Sequence, residues 1–167
     1  MTRPTEPLRR RVRAFVDNSV FGGVFDDEFA EDSKRFFDQV ASGRIIVLVS
    51  NVLLREILNA PPHIQGILAS LPPEQLEEVA VTPEAVALTE AYLQAGILSA
   101  KWRDDAAQIA LATLAKADVL LSWNFRHIVN YDRIRLFNSV NLAQGYGMLD
   151  IRCPKEIQDA HADEQDI

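Results

Sequence analysis

The stretch IIVLVSNVLLREILNA, residues 45–60, decides the fold. Its first five residues are all β-branched or leucine, which is typical of a central strand covered on both faces. Ser50 can cap a following helix, because its hydroxyl can accept a hydrogen bond from a free backbone N–H of the first turn. The apolar residues after it recur at helical spacing, and the pair Pro61 and Pro62 ends the pattern. The stretch therefore predicts a buried strand that passes directly into an amphipathic helix.

Strands and helices alternate on both sides of this stretch. Before it, residues 13–16 predict a short buried strand that ends in Asp17, and residues 29–41 predict an amphipathic helix closed by Gly43. The segments predicted after it are helices at 63–71, 83–95, 104–116 and 131–144, and strands at 77–81, 119–122 and 148–151. Such alternation predicts a three-layer α/β/α sandwich with a mostly parallel central sheet.

Length and composition indicate one globular domain. The chain has 167 residues, of which 48% are hydrophobic, and no Gly/Ser linker divides it. We expect one domain over residues 1–154, followed by an acidic, disordered tail at 155–167. No apolar run approaches the roughly 18 residues that a membrane helix needs, and the N-terminus lacks the apolar core of a secretory signal. These features predict a cytoplasmic protein with no membrane partner.

Charge and cysteine content restrict the ligands. A net charge of -7 argues against broad electrostatic binding to nucleic acid, so RNA would have to be bound locally. Cys153 is the only cysteine, which excludes an intramolecular disulfide and a thiolate metal cage. We expect Cys153 to be a buried, unreactive thiol. Any metal would be held by oxygen or histidine ligands.

Four polar residues are expected at one edge of the sheet. Asp17 and Asn124 follow predicted strands, while Glu56 and Asp105 lie in helices that begin near the same edge. Glu56 should border the buried side of its helix, because apolar residues lie one turn earlier on nearly the same face. Facing carboxylates are tolerable when a hard cation sits between them, since Mg²⁺ and Mn²⁺ prefer oxygen ligands. The pattern predicts a divalent-metal site that can stabilise charge on a phosphoryl oxygen.

Four motifs follow one another along the chain. They are FVDNSVFGGVFD at 15–26, SNVLLREIL at 50–58, DDAAQIALA at 104–112 and DVLLSWNFRHI at 118–128. Together they resemble the PIN-domain ribonucleases, a family that includes toxins of the virulence-associated protein C type. The resemblance implies a PIN-like nuclease domain, a hydrolase that cleaves RNA as a metal-dependent endoribonuclease with Mg²⁺ or Mn²⁺. It also implies a toxin-antitoxin pair, and hence an antitoxin protein as a partner.

The resemblance implies a role for each acid. Asp17, Glu56 and Asp105 would hold the metal, and Asn124 would occupy a fourth catalytic position that is often acidic in the family. Because Asn124 is neutral, a second metal site would be weakened or a single metal would do the work. Gln108 stands where this helix often carries histidine in the family. Neither departure removes the three acids.

Other polar residues surround these positions. The resemblance implies that Ser19 and Ser122 support the site by hydrogen bonding. Arg126 and His127 closely follow the late strand, so we expect both to bind substrate. For a lone histidine such as His127, a packing role is the alternative.

Other interpretations of the same residues remain open. Asp17 or Asp104 could cap a helix, which is common for Asp, and Asp104 is the alternative metal ligand to Asp105. Glu56 could pair with an arginine. The alternative function is a catalytically silent PIN-fold binding or regulatory module, for example as a homodimer, and Asn124 is the residue that supports it. Metal-dependent cleavage of RNA would exclude this alternative.

Overall fold

The structure, a computed structural model, describes residues 11–157, and residues 1–10 and 158–167 lie outside the described part. At the start of the predicted tail, Pro154–Glu156 forms a 3₁₀ helix, and Ile157 packs against the core. The structured domain therefore extends at least to residue 157. The rest of the predicted tail falls outside the described residues.

The described residues form one sheet of five parallel strands. The strands are β1 (Val12–Val16), β2 (Ile45–Ser50), β3 (Leu76–Val79), β4 (Val119–Leu121) and β5 (Ile151–Arg152). Their order across the sheet is β3-β2-β1-β4-β5, and every neighbouring pair is parallel. The predicted α/β fold with a parallel central sheet is confirmed, and β1 lies at its centre.

Seven α-helices cover this sheet in the described part of the chain. They are α1 (Asn18–Gly23), α2 (Ala30–Ala41), α3 (Asn51–Leu58), α4 (Pro62–Ser70), α5 (Pro83–Gln94), α6 (Arg103–Leu114) and α7 (Tyr131–Ala143). Ser50 caps α3 as predicted, because its hydroxyl accepts a hydrogen bond from the Leu53 N–H at 3.0 Å. Gly43 after α2 has a φ of +84°, in the left-handed region that favours glycine at a helix end.

Side chains of the central strands alternate between two cores. On β1, Ala14 and Val16 pack in the core under α1 to α4, whereas Phe15 packs in the core under α5 to α7. The register partners of Phe15, Leu48 on β2 and Leu120 on β4, belong to the second core, and all three are fully buried. Burial on both faces explains why residues 45–49 of β2 are all apolar. Helices on both faces of the sheet give the predicted three layers.

Three segments differ from their predictions. Helix α1, which the sequence did not predict, follows Asp17 immediately. Its glycines at 22 and 23 disfavour a helix, so the sequence pattern does not indicate one there. Strand β3 ends at Val79 rather than at 81, and β5 occupies Ile151–Arg152 rather than 148–151. Both are edge strands, where one neighbouring strand is missing and short segments are common.

Two other properties of the chain can be read from the structure. Cys153 is a free thiol and is 7% exposed, so its predicted burial is confirmed. Within residues 11–157, no helix is both long enough and apolar enough to cross a membrane.

Candidate metal centre

The candidate site lies where the order of the strands reverses. After β1 the chain builds β2 and β3 on one side of it, and then β4 and β5 on the other. The carboxyl ends of β1 and β4 are therefore neighbours, and ligands of open α/β sheets bind at such a switch point. Asp17 directly follows β1, and its N–H donates to the carbonyl of Leu121, the last residue of β4, at 3.2 Å. The backbone thus fixes Asp17 at this edge.

Two serine hydroxyls hold the Asp17 carboxylate. Ser122 Oγ donates to Asp17 Oδ2 at 2.6 Å, and Ser19 Oγ donates to the same oxygen at 2.9 Å. Ser19 Oγ also accepts a hydrogen bond from the Trp123 N–H at 2.9 Å. The structure therefore brings both predicted serines to Asp17, while no described residue donates to its Oδ1. Asp17 occupies the N-cap position of α1, but its side chain accepts no N–H of that helix.

Helix α6 carries Asp105 to the same region. Asp105 Oδ2 lies 2.9 Å from Nδ1 of His127. The imidazole is 5% exposed, and its centroid lies 4.2 Å from the centroid of a Trp102 ring. His127, which we expected to bind substrate, is a buried partner of Asp105 that fixes the orientation of one carboxylate oxygen. No described residue donates to the other oxygen of Asp105.

Asp104 lies in the first turn of α6 and does not cap it. The helix begins at Arg103, directly after the 3₁₀ helix Ala100–Trp102, and no side chain caps its first turn. The prediction of Asp104 as a cap is wrong because the preceding 3₁₀ turn leads straight into α6. Asp104 is exposed and accepts no hydrogen bond from the described residues. It lies beside Asp105 as a second acid at this helix end.

Glu56 is more exposed than the sequence predicts. Leu53 and Ile57 of α3 are 3% and 1% exposed and face the core, whereas Val52 is 41% exposed. Glu56 shares the exposed face of Val52, because the line from Leu53 to Ile57 packs against the sheet. No arginine of the described residues pairs with Glu56. Its carboxylate is therefore free to move at the edge of the site.

One cleft gathers four carboxylates. Its volume is about 310 Å³, and no lysine or arginine of residues 11–157 lines it. Gln108 also lines the cleft, and its Oε1 is buried with no hydrogen-bond partner in the described part of the chain. A set of oxygen donors with uncompensated negative charge suits a hard divalent cation such as Mg²⁺ or Mn²⁺. The four acids are Asp17, Glu56, Asp104 and Asp105.

The acids line one cleft without meeting at a single point. Among residues 11–157, no three Asp, Glu, His or Cys side chains stand close enough together to hold one ion. Coordination would therefore require side-chain rotation, which Glu56 can make because it is exposed and has no partner among the described residues. The residues fit a divalent ion by their chemistry and by their placement at one cleft.

Asn124 lies beside this cleft and holds a turn. Its Oδ1 accepts a hydrogen bond from the His127 N–H at 3.0 Å, and its own N–H donates to Ser122 Oγ at 2.9 Å. Asn124 lines a neighbouring cavity together with Asp105. The structure thus brings the three predicted acids to one cleft and leaves the predicted fourth residue next to it.

Two cations, Lys101 and Arg126, line a neighbouring cavity. It has a volume of about 460 Å³ and shares Asp104 and Asp105 with the acid cleft. Lys101 Nζ and Arg126 Cζ lie 5.0 Å and 5.8 Å from the centroid of the Trp102 ring in this cavity. The sequence indicated Arg126 but not Lys101 or Trp102. The signal was the KW pair that precedes the acids in KWRDD, a cation and an aromatic residue within one turn of the predicted ligands.

Comparison with known proteins assigns no function to the site. No protein-family model matches the chain, and no curated protein matches it significantly. The resemblance to PIN-domain ribonucleases therefore stays a prediction that rests on the four motifs.

Proposed function

We propose that this protein is a divalent-metal-dependent endoribonuclease with a PIN-like fold. The observation that supports the proposal most is the cleft of four carboxylates, which no lysine or arginine of the described part of the chain lines, at the switch point of a parallel sheet. Asp17, Glu56 and Asp105 would hold Mg²⁺ or Mn²⁺, with Asp104 as a further oxygen donor. The bound ion would supply electrostatic stabilisation of the charge that develops on a phosphodiester during hydrolysis.

Neighbouring residues preorient two of the acids. Ser19 and Ser122 fix one oxygen of Asp17, and His127 fixes one oxygen of Asp105. Each carboxylate therefore keeps a second oxygen for a ligand while its rotamer is already set. Fixing a side chain in advance lowers the conformational entropy lost on binding and favours a defined site geometry.

Cleavage of RNA by the purified protein tests this function. Wild type with single-stranded RNA of mixed sequence and Mn²⁺ or Mg²⁺ should give cleavage that EDTA abolishes. Asp105→Asn should remove cleavage as well, whereas Asp27→Asn, an exposed acid outside the cleft, should keep it. Activity that persists in EDTA or in Asp105→Asn would contradict the proposal.

A direct measurement of metal binding separates the metal site from the RNA chemistry. Mn²⁺ should raise the melting temperature of the wild type and of Asp27→Asn, and the rise should be smaller for Asp105→Asn. An equal rise in all three proteins would place the bound ion elsewhere.

The four motifs also support a role as the toxin of a toxin-antitoxin pair. The partner would be an antitoxin protein, and the active site would lie in the cytoplasm with its RNA substrate. Expression of the wild type alone in a bacterial host should then arrest growth, while Asp105→Asn should not. Normal growth with wild-type protein present in active form would argue against the toxin role.

The position of Asn124 supports one alternative, a catalytically silent PIN-like binding module. The Asn124 side-chain oxygen is engaged by the His127 N–H and carries no charge. Such a module would bind RNA or a protein without metal-dependent cleavage. Light scattering after size-exclusion chromatography would show whether it forms a homodimer.

A further inference from the structure

An indole with two neighbouring cations stands next to the acid cleft. Lys101 and Arg126 both lie over the ring of Trp102. Both distances are within about 6 Å, the range over which a cation interacts with an aromatic ring. Trp102 also packs against the buried His127 ring. Arg133 donates a hydrogen bond to the backbone carbonyl of Arg126 and so ties down the chain at that residue. The two cations therefore have defined places at one ring.

Neither of these cations forms an ion pair with a carboxylate of residues 11–157, although Asp104 and Asp105 line the same cavity. Among the described residues, no ion pair or side-chain hydrogen bond engages the Lys101 ammonium or the Arg126 guanidinium. Arg103, in the same segment, differs because it pairs with Glu90. A guanidinium held by a ring face keeps its N–H groups available for an anion, and arginine can donate two of them to one phosphate.

We propose that Lys101, Trp102 and Arg126 form an anion subsite for the backbone phosphate next to the scissile one. This inference rests on the proposed ribonuclease function, because the scissile phosphodiester must lie at the acid cleft. Asp104 and Asp105 line both the cleft and the cavity that contains these residues. A ligand with two phosphates a short distance apart along its chain can place one in the acid cleft and the other at Lys101, Trp102 and Arg126. The subsite is thus selective for a nucleic-acid strand over a single free phosphate.

Chain-wide charge makes this position specific. The molecule has a net charge of -7, so its surface as a whole repels a phosphate backbone. Lys101 and Arg126 then supply local attraction where the proposed chemistry occurs. Phosphate contacts of this kind fix the position of a strand and do not read its sequence.

Binding of RNA without metal tests the subsite separately from cleavage. The probe is a short fluorescein-labelled single-stranded RNA of mixed sequence, titrated in EDTA at several KCl concentrations and followed by fluorescence anisotropy. The test variant is Lys101→Ala/Arg126→Ala. The matched control is Lys34→Ala/Arg135→Ala, which removes the same charge. Arg135 lies 5.8 Å from the centroid of Tyr131, the same cation-to-ring distance as for Arg126.

The subsite variant should bind RNA about tenfold or more weakly than wild type, and the control should bind like wild type. The slope of log K against log salt should also become shallower by about 0.7 for each backbone phosphate that the variant no longer neutralises. Equal affinities and slopes for the two double variants would overturn the subsite. Absence of any RNA binding by the wild type would overturn it as well.

Cleavage in Mn²⁺ distinguishes failure of the subsite from failure of the proposed function. Wild-type cleavage combined with unchanged binding in the subsite variant would overturn the subsite alone. A selective loss of RNA binding in that variant supports the subsite even if the wild type does not cleave, in which case the nuclease reaction is the part that fails. If both proposals hold, the subsite variant should cleave with a higher KM and little change in kcat.

Discussion

Replacing Gly23 by alanine should destabilise the fold and disturb the candidate site together. A Cβ at Gly23 would lie 2.6 Å from Ser33 Oγ and 2.7 Å from Trp123 Nε1, too close for either contact. These two atoms form a buried hydrogen bond, in which Trp123 Nε1 donates to Ser33 Oγ at 2.9 Å. The backbone N–H of Trp123 donates to Ser19, which holds Asp17. Displacing the indole therefore moves the chain that supports the acid.

The size of the effect follows from three contributions. Overpacking of a core position costs about 1–3 kcal/mol, and loss of the buried hydrogen bond costs about 1 kcal/mol. Alanine in place of glycine within α1 returns about 0.5–1 kcal/mol. The free energy of unfolding should therefore fall by about 2 kcal/mol. In a domain of this size the melting temperature should fall by about 4–8 °C.

Gly22→Ala is the matched control in the same helix. Apart from the neighbouring backbone of α1 itself, no atom of residues 11–157 would lie within 4 Å of a Cβ at position 22, so this variant should be as stable as wild type or up to about 1 kcal/mol more stable. Urea denaturation followed by tryptophan fluorescence measures both variants, because Trp123 is 8% exposed and reports on the affected core. Equal stability of Gly23→Ala and Gly22→Ala would refute the steric argument.

Three other substitutions test contacts near and far from the site. Ser122→Ala removes the 2.6 Å hydrogen bond to Asp17 and should lower the free energy of unfolding, measured in urea, by about 1–2 kcal/mol. Ser139 is exposed, so the control Ser139→Ala should stay within about 0.5 kcal/mol of wild type. Equal losses in the two serine variants would contradict this. Asn124→Asp keeps a side-chain oxygen that can accept the His127 N–H, and it adds negative charge beside the acid cleft. Calorimetric titration should therefore show an Mn²⁺ affinity that is roughly three- to tenfold higher than that of wild type. An unchanged affinity would mean that position 124 lies outside the electrostatic reach of the ion. Burial raises the pKa of the Tyr92 phenol above that of an unfolded tyrosine, which is about 10. The neutral phenol therefore contributes its full stability below this pH, and the contribution is lost as the pH rises further. The free energy of unfolding of Tyr92→Phe should therefore fall less steeply with pH than that of wild type above this value, and parallel curves would contradict the assignment.

The strands could be located from the sequence because burial on both faces leaves uninterrupted apolar runs. Residues 45–49 of β2 show this, since their side chains enter two different cores and none of them needs to be polar. The order of the strands could not be predicted in the same way. Val16 pairs with Leu121 across β1 and β4, and no local pattern encodes a pairing over that separation along the chain. Packing of the helices on the two faces decides it.

The acids and the two serines that contact Asp17 could be indicated from the sequence, but the exposure and the other contacts of the acids could not. Asp17 follows a buried strand and is therefore recognisable at a sheet edge. Glu56 is different, because the rotation of α3 about its axis decides its exposure, and that rotation is set by how Leu53 and Ile57 pack on the sheet. The bond between Asp105 and His127 joins α6 to the turn after β4, which only the tertiary structure brings together.

Under the proposed function, the acid cleft and the cavity lined by Lys101 and Arg126 are coupled through the residues they share. Asp104 and Asp105 line both, so an ion bound among the carboxylates changes the electrostatic potential in the cavity as well. Without the ion, four carboxylates oppose a phosphodiester that Lys101 and Arg126 attract. With the ion, the same cleft attracts the phosphate. Bound metal should therefore raise the affinity of the protein for RNA, and bound RNA should raise its affinity for the metal by the same factor. A chain with a net charge of -7 would then bind RNA at one place and more tightly with the ion than without it, because Lys101, Arg126 and the bound ion together supply the attraction that the rest of the surface lacks.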